Sequence, residues 1–419
     1  MPIFETELNR ISYFVARISH EIRNTNDGIR MKMATFRKPL QRNPVIKSCA
    51  SLKITLTCLI LLFILTFWGT VDQVYNGLYL TQERFFNSFF FLVGGFIPFP
   101  GAQLVLWVMF INLVCVALTR FVYNRDHIGI TIIHGGLLLF FVAAFVTLHC
   151  VEESHLTLME GEAANVSSAY HDWEIAAWKE SGREKGVIAY DAAGLRAGQQ
   201  LSFPPEGSLS EEYGLTLTVG HCYPNSEAYF GTQASSAVLS ASGVGTLKPV
   251  PLDKAPEKNF PGCILTVEGI APVILYGAED KPLKIAKDGR EYFLQLRRKN
   301  FPLPFLLRLK DFTVEWHPNT EVASSYKSLV EIIPPPAGSL SAGGGSLREV
   351  LISMNKPLRY KNFTLYQASY SIDKFGRETS TLAVVKNTGR LLPYVATFMT
   401  FAGLALHFLL MAFKAKSGR

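Results

Sequence analysis

Two kinds of hydrophobic patterning divide this chain. Four long stretches are apolar without alternation: Ser51–Gly69, Gln103–Tyr123, Ile128–Cys150 and Leu392–Phe413. A helix crossing a bilayer needs about 20 such residues at ~1.5 Å rise each, so each run predicts a membrane span. Between the third and fourth runs the pattern changes to short β-branched or aromatic segments, among them LTLTV, CILTVEG, EYFLQLR, FTVEW, SLVEII, FTLYQASY and TLAVV, divided by Gly, Pro, Asn and Asp. That punctuation predicts an antiparallel β domain, either one large sandwich or two stacked lobes. PPPAGSLSAGGGS, Pro334–Ser346, has strands predicted on both sides and reads as a loop within that domain.

A fifth apolar run, RFFNSFFFLVGGFIPFPG, is interrupted by Gly94, Gly95, Pro98 and Pro100. We read it as an interfacial or re-entrant segment rather than a span. The segment ISYFVARISHEIR near the N-terminus alternates apolar and basic residues at helical spacing, as an amphipathic surface helix or a polar extension would. The predicted class is an integral membrane protein with four transmembrane α-helices and a large antiparallel β-rich extracytoplasmic domain. Its predicted organisation is a cytoplasmic extension over 1–50, three helices with the aromatic interfacial segment over 51–150, the β-rich domain over 151–391, and the fourth helix with a short cytoplasmic tail over 392–419.

Composition agrees: 48% of the 419 residues are hydrophobic. The formal net charge of +7 raises nucleic acid as a partner. However, the basic residues gather at Arg37, Lys38, Arg42, Lys47 and Lys53, at Arg120 and Arg125, and at Lys414, Lys416 and Arg419. These groups fall on one side of four alternating spans, and the positive-inside rule makes that side the cytoplasm. No nucleic-acid interface is therefore expected. No small-x-small cleavage site follows the first run, where the chain continues FWGTVDQ, so that run reads as a retained anchor.

Of the six cysteines, Cys49, Cys58 and Cys115 lie in or beside spans. Cys150, Cys222 and Cys263 fall on the oxidising side of this topology, which accommodates one disulfide and one leftover thiol. Absence of C-x-x-C argues against a thioredoxin-type centre, and absence of C-x-x-C-H means that the chain is not itself a c-type cytochrome. Motifs for P-loop nucleotide hydrolysis, H-E-x-x-H zinc proteolysis and G-x-S-x-G hydrolase chemistry are missing as well.

The membrane histidines carry what chemistry remains. His134 is the one ionisable residue of ITIIHGGLLLFFVAAFVTL. A polar group there usually faces a partner or a cavity. It reads equally as an inter-helix hydrogen-bonding group, with Gly135 and Gly136 permitting close helix approach, or as an iron ligand, with the glycines leaving room for a flat macrocycle. His134 lies six residues after Ile128 and His407 six before Phe413, which predicts a similar depth for both and allows an intrachain clamp on one iron. His149 and His155 flank the exit of the third span, within about 10 Å of each other if the helix continues, and are candidates to receive a cofactor there.

DFTVEWHPNT, SSYKSLVEI, NKPLRYKNFTLYQASYS and VVKNTGRLLPY, in that order before a final span, resemble the ResB (CcsB) family of system II cytochrome c biogenesis proteins. The most specific stretch runs from Asn355 to Tyr370. FWGTVDQ, PGAQLVLWVMFINLVCVALTR and IHGGLLL resemble the family's first three spans, so the similarity extends from Ser51 to the C-terminus. The resemblance implies a component that binds and exports haem (b-type, non-covalent and transient) and presents it for attachment to apocytochrome c. It implies His134 as an axial ligand of the haem iron, with the second ligand from a CcsA/ResC-type partner or from His407. No tryptophan-rich WWD motif is present, so the chain resembles half of a haem-attachment complex rather than an enzyme by itself. Partners implied are the CcsA/ResC-type protein, apocytochrome c and thioredoxin-like thiol reductants. Tyr366, Gln367 and Tyr370 are candidates for partner or substrate contact, against a reading in which Tyr366 is buried in its strand. A bacterial cytoplasmic membrane is favoured over the thylakoid. Two other classes stay open: a structural chaperone of the apocytochrome that binds no haem, and a thiol relay through Cys150, Cys222 and Cys263.

Overall fold

A computed structural model of the chain describes residues 43–119, 127–179, 186–203, 214–230, 238–320, 322–334 and 347–417. They fall into two compact units, one drawn from Met1–Cys150 and Gly389–Arg419, the other from Val151–Thr388. The N-terminal amphipathic segment, the loop with Arg120 and Arg125, and most of Pro334–Ser346 lie outside the described residues.

The first unit begins with α1 (Pro44–Cys49), capped by the Asn43 side chain accepting from Val45 N at 2.9 Å, with Pro44 at its first turn. Then come α2 (Leu52–Asn76), α3 (Leu78–Thr81), a single π turn (Gln82–Phe86), the hairpin β1 (Phe90–Val93) and β2 (Ile97–Pro100), α4 (Ala102–Thr119), α5 (Ile128–Cys150) and α6 (Leu392–Ser417). Among the described residues α2, α4, α5 and Leu392–Lys414 are long and apolar enough to cross a membrane, matching the four expected spans. The fifth apolar run forms the hairpin instead, since Gly94 and Gly95 at φ +62° and +84° turn the chain back after four residues. Several hydroxyls within the spans return to their own helix: Thr66 donates to Leu62 O, Thr70 to Thr66 O, and Thr400 to Ala396 O. Asn112, buried in α4, donates to Cys49 O and Ser51 O and accepts from Thr55 Oγ1 at 2.6 Å, tying α4 to the α1–α2 junction.

The second unit is antiparallel throughout its strand ladders. It starts with β3 (Glu152–Met159), β4 (Ala163–Lys179), β5 (Val187–Asp191), β6 (Gln200–Phe203), β7 (Leu215–Tyr223), β8 (Ser226–Phe230), β9 (Val244–Pro249), β10 (Gly262–Val267) and β11 (Val273–Tyr276). It continues with β12 (Leu283–Lys287), β13 (Arg290–Trp316), β14 (Ala323–Ile333), β15 (Arg348–Ser353), β16 (Leu358–Tyr360), β17 (Phe363–Ile372) and β18 (Glu378–Lys386). A ten-stranded sheet runs β15-β14-β13-β4-β3-β18-β17-β16 with β12 and β5 alongside, and a four-stranded sheet runs β11-β10-β7-β6.

Among the described residues the two larger cores of this unit are joined by the 27-residue strand β13. Its first half gives Tyr292, Leu294 and Leu296 to a core shared with Leu217, Val219 and Leu265 of the smaller sheet. Its second half gives Phe305, Leu307 and Leu309 to a core with Leu158, Val330, Leu365 and Leu382. Two lobes threaded by one strand thus replace the choice between one sandwich and two stacked lobes. Where β13 passes between them it carries Pro302, and its register with β4 shifts between Pro302 and Leu307. Inside the first lobe Cys222 and Cys263 stand directly opposite on β7 and β10 and form a disulfide, leaving Cys150 exposed and free.

Candidate functional site

The antiparallel pair α5–α6 holds the membrane histidines. Gly129, Gly136 and Gly403 are buried, and a Cβ on each would collide with the opposite helix: at Gly129 with His407 Cα at 2.7 Å, at Gly136 with Thr400 N at 3.0 Å, and at Gly403 with Ile133 N at 2.8 Å. Glycine permits this backbone contact, and the contact sets the register. Gly135 touches the Met399 Cε end, 2.7 Å from where its Cβ would lie. Both glycines after His134 are therefore taken up by α6. The expectation that they leave room for a macrocycle is corrected, because Thr400, Ala396 and Met399 occupy that space.

The same register overturns the expected equal depth of His134 and His407. Gly129 stands opposite His407, so His134 lies five residues, about 7.5 Å of helical rise, further along α5. Direction separates them too. At ~100° per residue His134 points roughly 140° away from Gly129, whereas His407 is on the α6 face that meets Gly129. Phe141 and Phe145 lie within about 20° of the direction of His134. These rings meet α4: Trp107 stacks on Phe145 at 4.1 Å, and Phe110 packs on Phe141 and Phe145 at 5.8 and 5.7 Å. His134 thus belongs to the α4 side of α5 and His407 to the α5–α6 contact.

The half-buried His134 ring makes an Nδ1 hydrogen bond to Ile130 O at 2.8 Å, one turn earlier. In the tautomer that donates this bond, the ring's lone pair sits at Nε2, and the ring orientation is tied to the helix. His407 is different: its Nδ1 is buried with no hydrogen-bond partner, and its ring lies 5.8 Å from Phe408.

The outer histidines do not share a helix. α5 ends at Cys150, leaving His149 exposed in its last turn, whereas His155 is on β3, so the expected helical spacing between them does not apply. The change follows from EESHLTLM, whose alternating burial is that of a strand. His155 lies 5.0 Å from Tyr170 on β4, and its Nδ1 is buried without a partner. Burial, helped by the nearby Arg298 guanidinium, holds its pKa below the ordinary histidine value.

The YQASY residues have three distinct environments. Tyr366 is 41% exposed, so the reading that buries it is not what the strand does. Gln367 points into the second core, where Ser328 donates to Oε1 at 2.6 Å and Nε2 donates to Ser380 Oγ at 3.0 Å. It is 7% exposed, which corrects its placement as a partner contact. A bulge between Gln367 and Ser369 then brings Tyr370 to a half-buried aromatic group with Tyr326 at 5.1 Å, Phe312 at 5.7 Å and Trp316 at 6.3 Å. Tyr326 Oη donates to the bulged Ala368 O at 3.1 Å. Asn112 was missed by the sequence reading, although one amide inside an apolar run is a usable signal. Among the described residues no cluster of three metal-ligating side chains occurs.

Fold and site define a multi-pass membrane protein that presents a bilobed β unit and carries one oriented imidazole on a span. Residues 285–391, from β12 to the turn before α6, match the ResB-like family. The resemblance to ResB proteins therefore holds, carried by the second half of the β unit. Relatives include the cytochrome c biogenesis protein Ccs1 of Heterosigma akashiwo, 28% identical over 28% of this chain and 30% of that protein. The cytochrome c biogenesis protein CcsB of Prochlorococcus marinus is 37% identical over 21% of this chain and 18% of its own length. Protein NrfI of Wolinella succinogenes is 29% identical over 25% and 11% respectively. The chain thus spans at most about a third of the curated relatives it matches. His134, His149 and His155 precede the family segment and His407 follows it.

Proposed function

We propose that this chain takes part in cytochrome c maturation as a haem-handling membrane subunit, with haem as its cargo and His134 as one axial ligand of the iron. The observation that carries the reading is the His134 ring itself: an imidazole within a span, oriented by its Nδ1 bond to Ile130 O, in a chain whose β unit is ResB-like. Relatives named for cytochrome c biogenesis support the process. His134 faces the α4 side of α5 while His407, on α6, faces α5 at Gly129, which favours a second ligand from outside the chain over the intrachain clamp. In this reading a CcsA/ResC-type membrane protein contributes that ligand, and the pair presents haem to the C-x-x-C-H thiols of apocytochrome c. Thioether chemistry belongs to haem and those thiols; this chain positions.

The β unit is assigned to the outer side of a bacterial cytoplasmic membrane, on the grounds of basic residues at the opposite ends of the spans. A thiol relay is the weaker alternative, because Cys222 and Cys263 are paired with each other and leave Cys150 by itself. Thioredoxin-like reductants then act on the apocytochrome rather than on this chain.

The test is the absorption spectrum of the complex purified with its partner, in wild type, His134→Ala and His407→Ala, each with and without imidazole. His134→Ala should lose the low-spin haem spectrum and regain it with imidazole, while His407→Ala keeps it. An unaltered spectrum in His134→Ala ends the proposal. Reporter fusions at Lys416 and within Ala337–Gly345 should report opposite compartments.

A further inference from the structure

We propose that Cys49 and Cys115 form a dithiol site, which a small-molecule disulfide converts to an intrachain disulfide between α1 and α4. Cys49 is the last residue of α1, and its carbonyl, past the end of the helical bonds, accepts from Asn112 Nδ2 at 2.5 Å. Asn112 also donates to Ser51 O at 3.0 Å and accepts from Thr55 Oγ1, so the backbone on both sides of Ala50 is held against one face of α4. Cys115 follows Asn112 by three residues, about 4.5 Å along α4 and about 60° round it, close to the face that Asn112 presents to Cys49. The two side chains meet there, with the thiols within hydrogen-bonding reach of each other. One turn on, Thr119 Oγ1 donates to Cys115 O at 2.6 Å.

The remaining cysteines lack this arrangement. Cys58 is buried with Leu65, Phe85 and Val105, which shields it from reagents in water. Cys150 is exposed and free at the end of α5, and Cys222 and Cys263 are already joined. Cys49 and Cys115 are both half-buried and both unoxidised. Lys47 and Lys53, exposed on either side of Cys49 in the sequence, favour the approach of an anionic disulfide such as oxidised glutathione.

The thiolate of one cysteine attacks a sulfur of oxidised glutathione, whose S–S bond breaks and releases one glutathione. The second cysteine then attacks the protein sulfur of that mixed disulfide, an S–S bond forms between Cys49 and Cys115, and the second glutathione leaves. Two electrons and two protons pass from the pair to glutathione, and excess reduced glutathione runs the steps backwards. Closed, the bond ties α1 to α4 covalently one turn from the Asn112 contact. The side of the membrane rests on the orientation proposed above, which makes this the cytoplasmic end of α4; there the pair stays reduced until the glutathione pool is oxidised. The pairing itself does not depend on that orientation.

To test this, the full chain carrying Cys150→Ser is purified in detergent and treated with oxidised glutathione. Free thiols are then blocked with iodoacetamide, and the digest is read by mass spectrometry, with Cys222–Cys263 as the internal reference for an intact disulfide. A peptide joining Cys49 to Cys115 should appear and be removed by dithiothreitol. Alkylation of both cysteines without that peptide overturns the proposal, and so does glutathione retained on either cysteine without closure. With Cys115→Ser added, the resolving thiol is missing and Cys49 should keep its glutathione. A second measurement needs no substitution: phenylarsine oxide, which bridges two adjacent thiols, should protect Cys49 and Cys115 together from alkylation in the wild-type chain. Alkylation of both in its presence is the refuting result. Neither measurement involves haem, so failure here leaves the haem-handling reading standing.

Discussion

The α5–α6 contact makes a prediction whose size follows from two neighbouring glycines. Replacing Gly129 by alanine sets a methyl group 2.7 Å from His407 Cα, Cβ and N. Carbon contacts settle at about 3.5–4.0 Å, so roughly 0.8 Å must be found, and backbone atoms on a packed helix cannot rotate aside. Separating the helices by that amount forfeits about a quarter to a half of the dispersion well along the contact. Overpacking of this kind costs about 1–3 kcal/mol, a shift of roughly five- to hundredfold in the unfolding equilibrium. Gly135→Ala brings a methyl equally close to Met399 Cε, also at 2.7 Å, but that atom ends a flexible side chain that can swing away. Its cost should stay below about 0.5 kcal/mol, apart from a small gain of helix propensity shared by both variants. Reversible unfolding of the full chain by sodium dodecyl sulfate in mixed micelles, followed by tryptophan fluorescence, compares the two directly. Equal stability of Gly129→Ala and Gly135→Ala refutes the register from which the separation of His134 and His407 was drawn.

Three further outcomes are expected. Gln367→Ala should lower the stability of the β unit by about 1–3 kcal/mol in thermal melts, since it strips partners from the buried hydroxyls of Ser328 and Ser380; a melt like wild type would mean that the residue is at the surface. His155 has its pKa held down in the folded chain, so the native state resists its protonation and stability is complete above about pH 6.5. As the pH falls from there towards the folded pKa, stability is lost, and His155→Gln should remove that part of the decline between pH 7.5 and 5.5, with parallel curves arguing against the burial described. Reduction of the Cys222–Cys263 disulfide, which closes a separation of 41 residues, should cost about 4 kcal/mol by the chain-entropy relation and lower the thermal midpoint; no change on reduction would show the pair to be open.

Much of the architecture can be read directly from the residues. A span announces itself because some 20 consecutive side chains must each be compatible with hydrocarbon, and strands announce themselves by a period of two, so α2, α4, α5, α6 and the β unit are local facts of composition and spacing. Gly94 and Gly95 with two prolines were enough to deny the fifth run a span. The candidate site was legible only as a list of residue types. Which way each points depends on pairing between distant segments: Gly129 against His407 turns His407 into a packing group and leaves His134 on another face of α5. Gln367 and Tyr366 are adjacent in sequence, yet the pleat sends one into a hydroxyl network and leaves the other exposed, and the bulge at Ala368 then carries Tyr370 inward. Three outer cysteines permit three pairings, and the β7–β10 register selects one. Local pattern determined what kind of element each segment becomes, because helix and strand periods involve only near neighbours. Register, facing and pairing came from tertiary structure, because they are decided by which surfaces pack without voids across separations of tens to hundreds of residues.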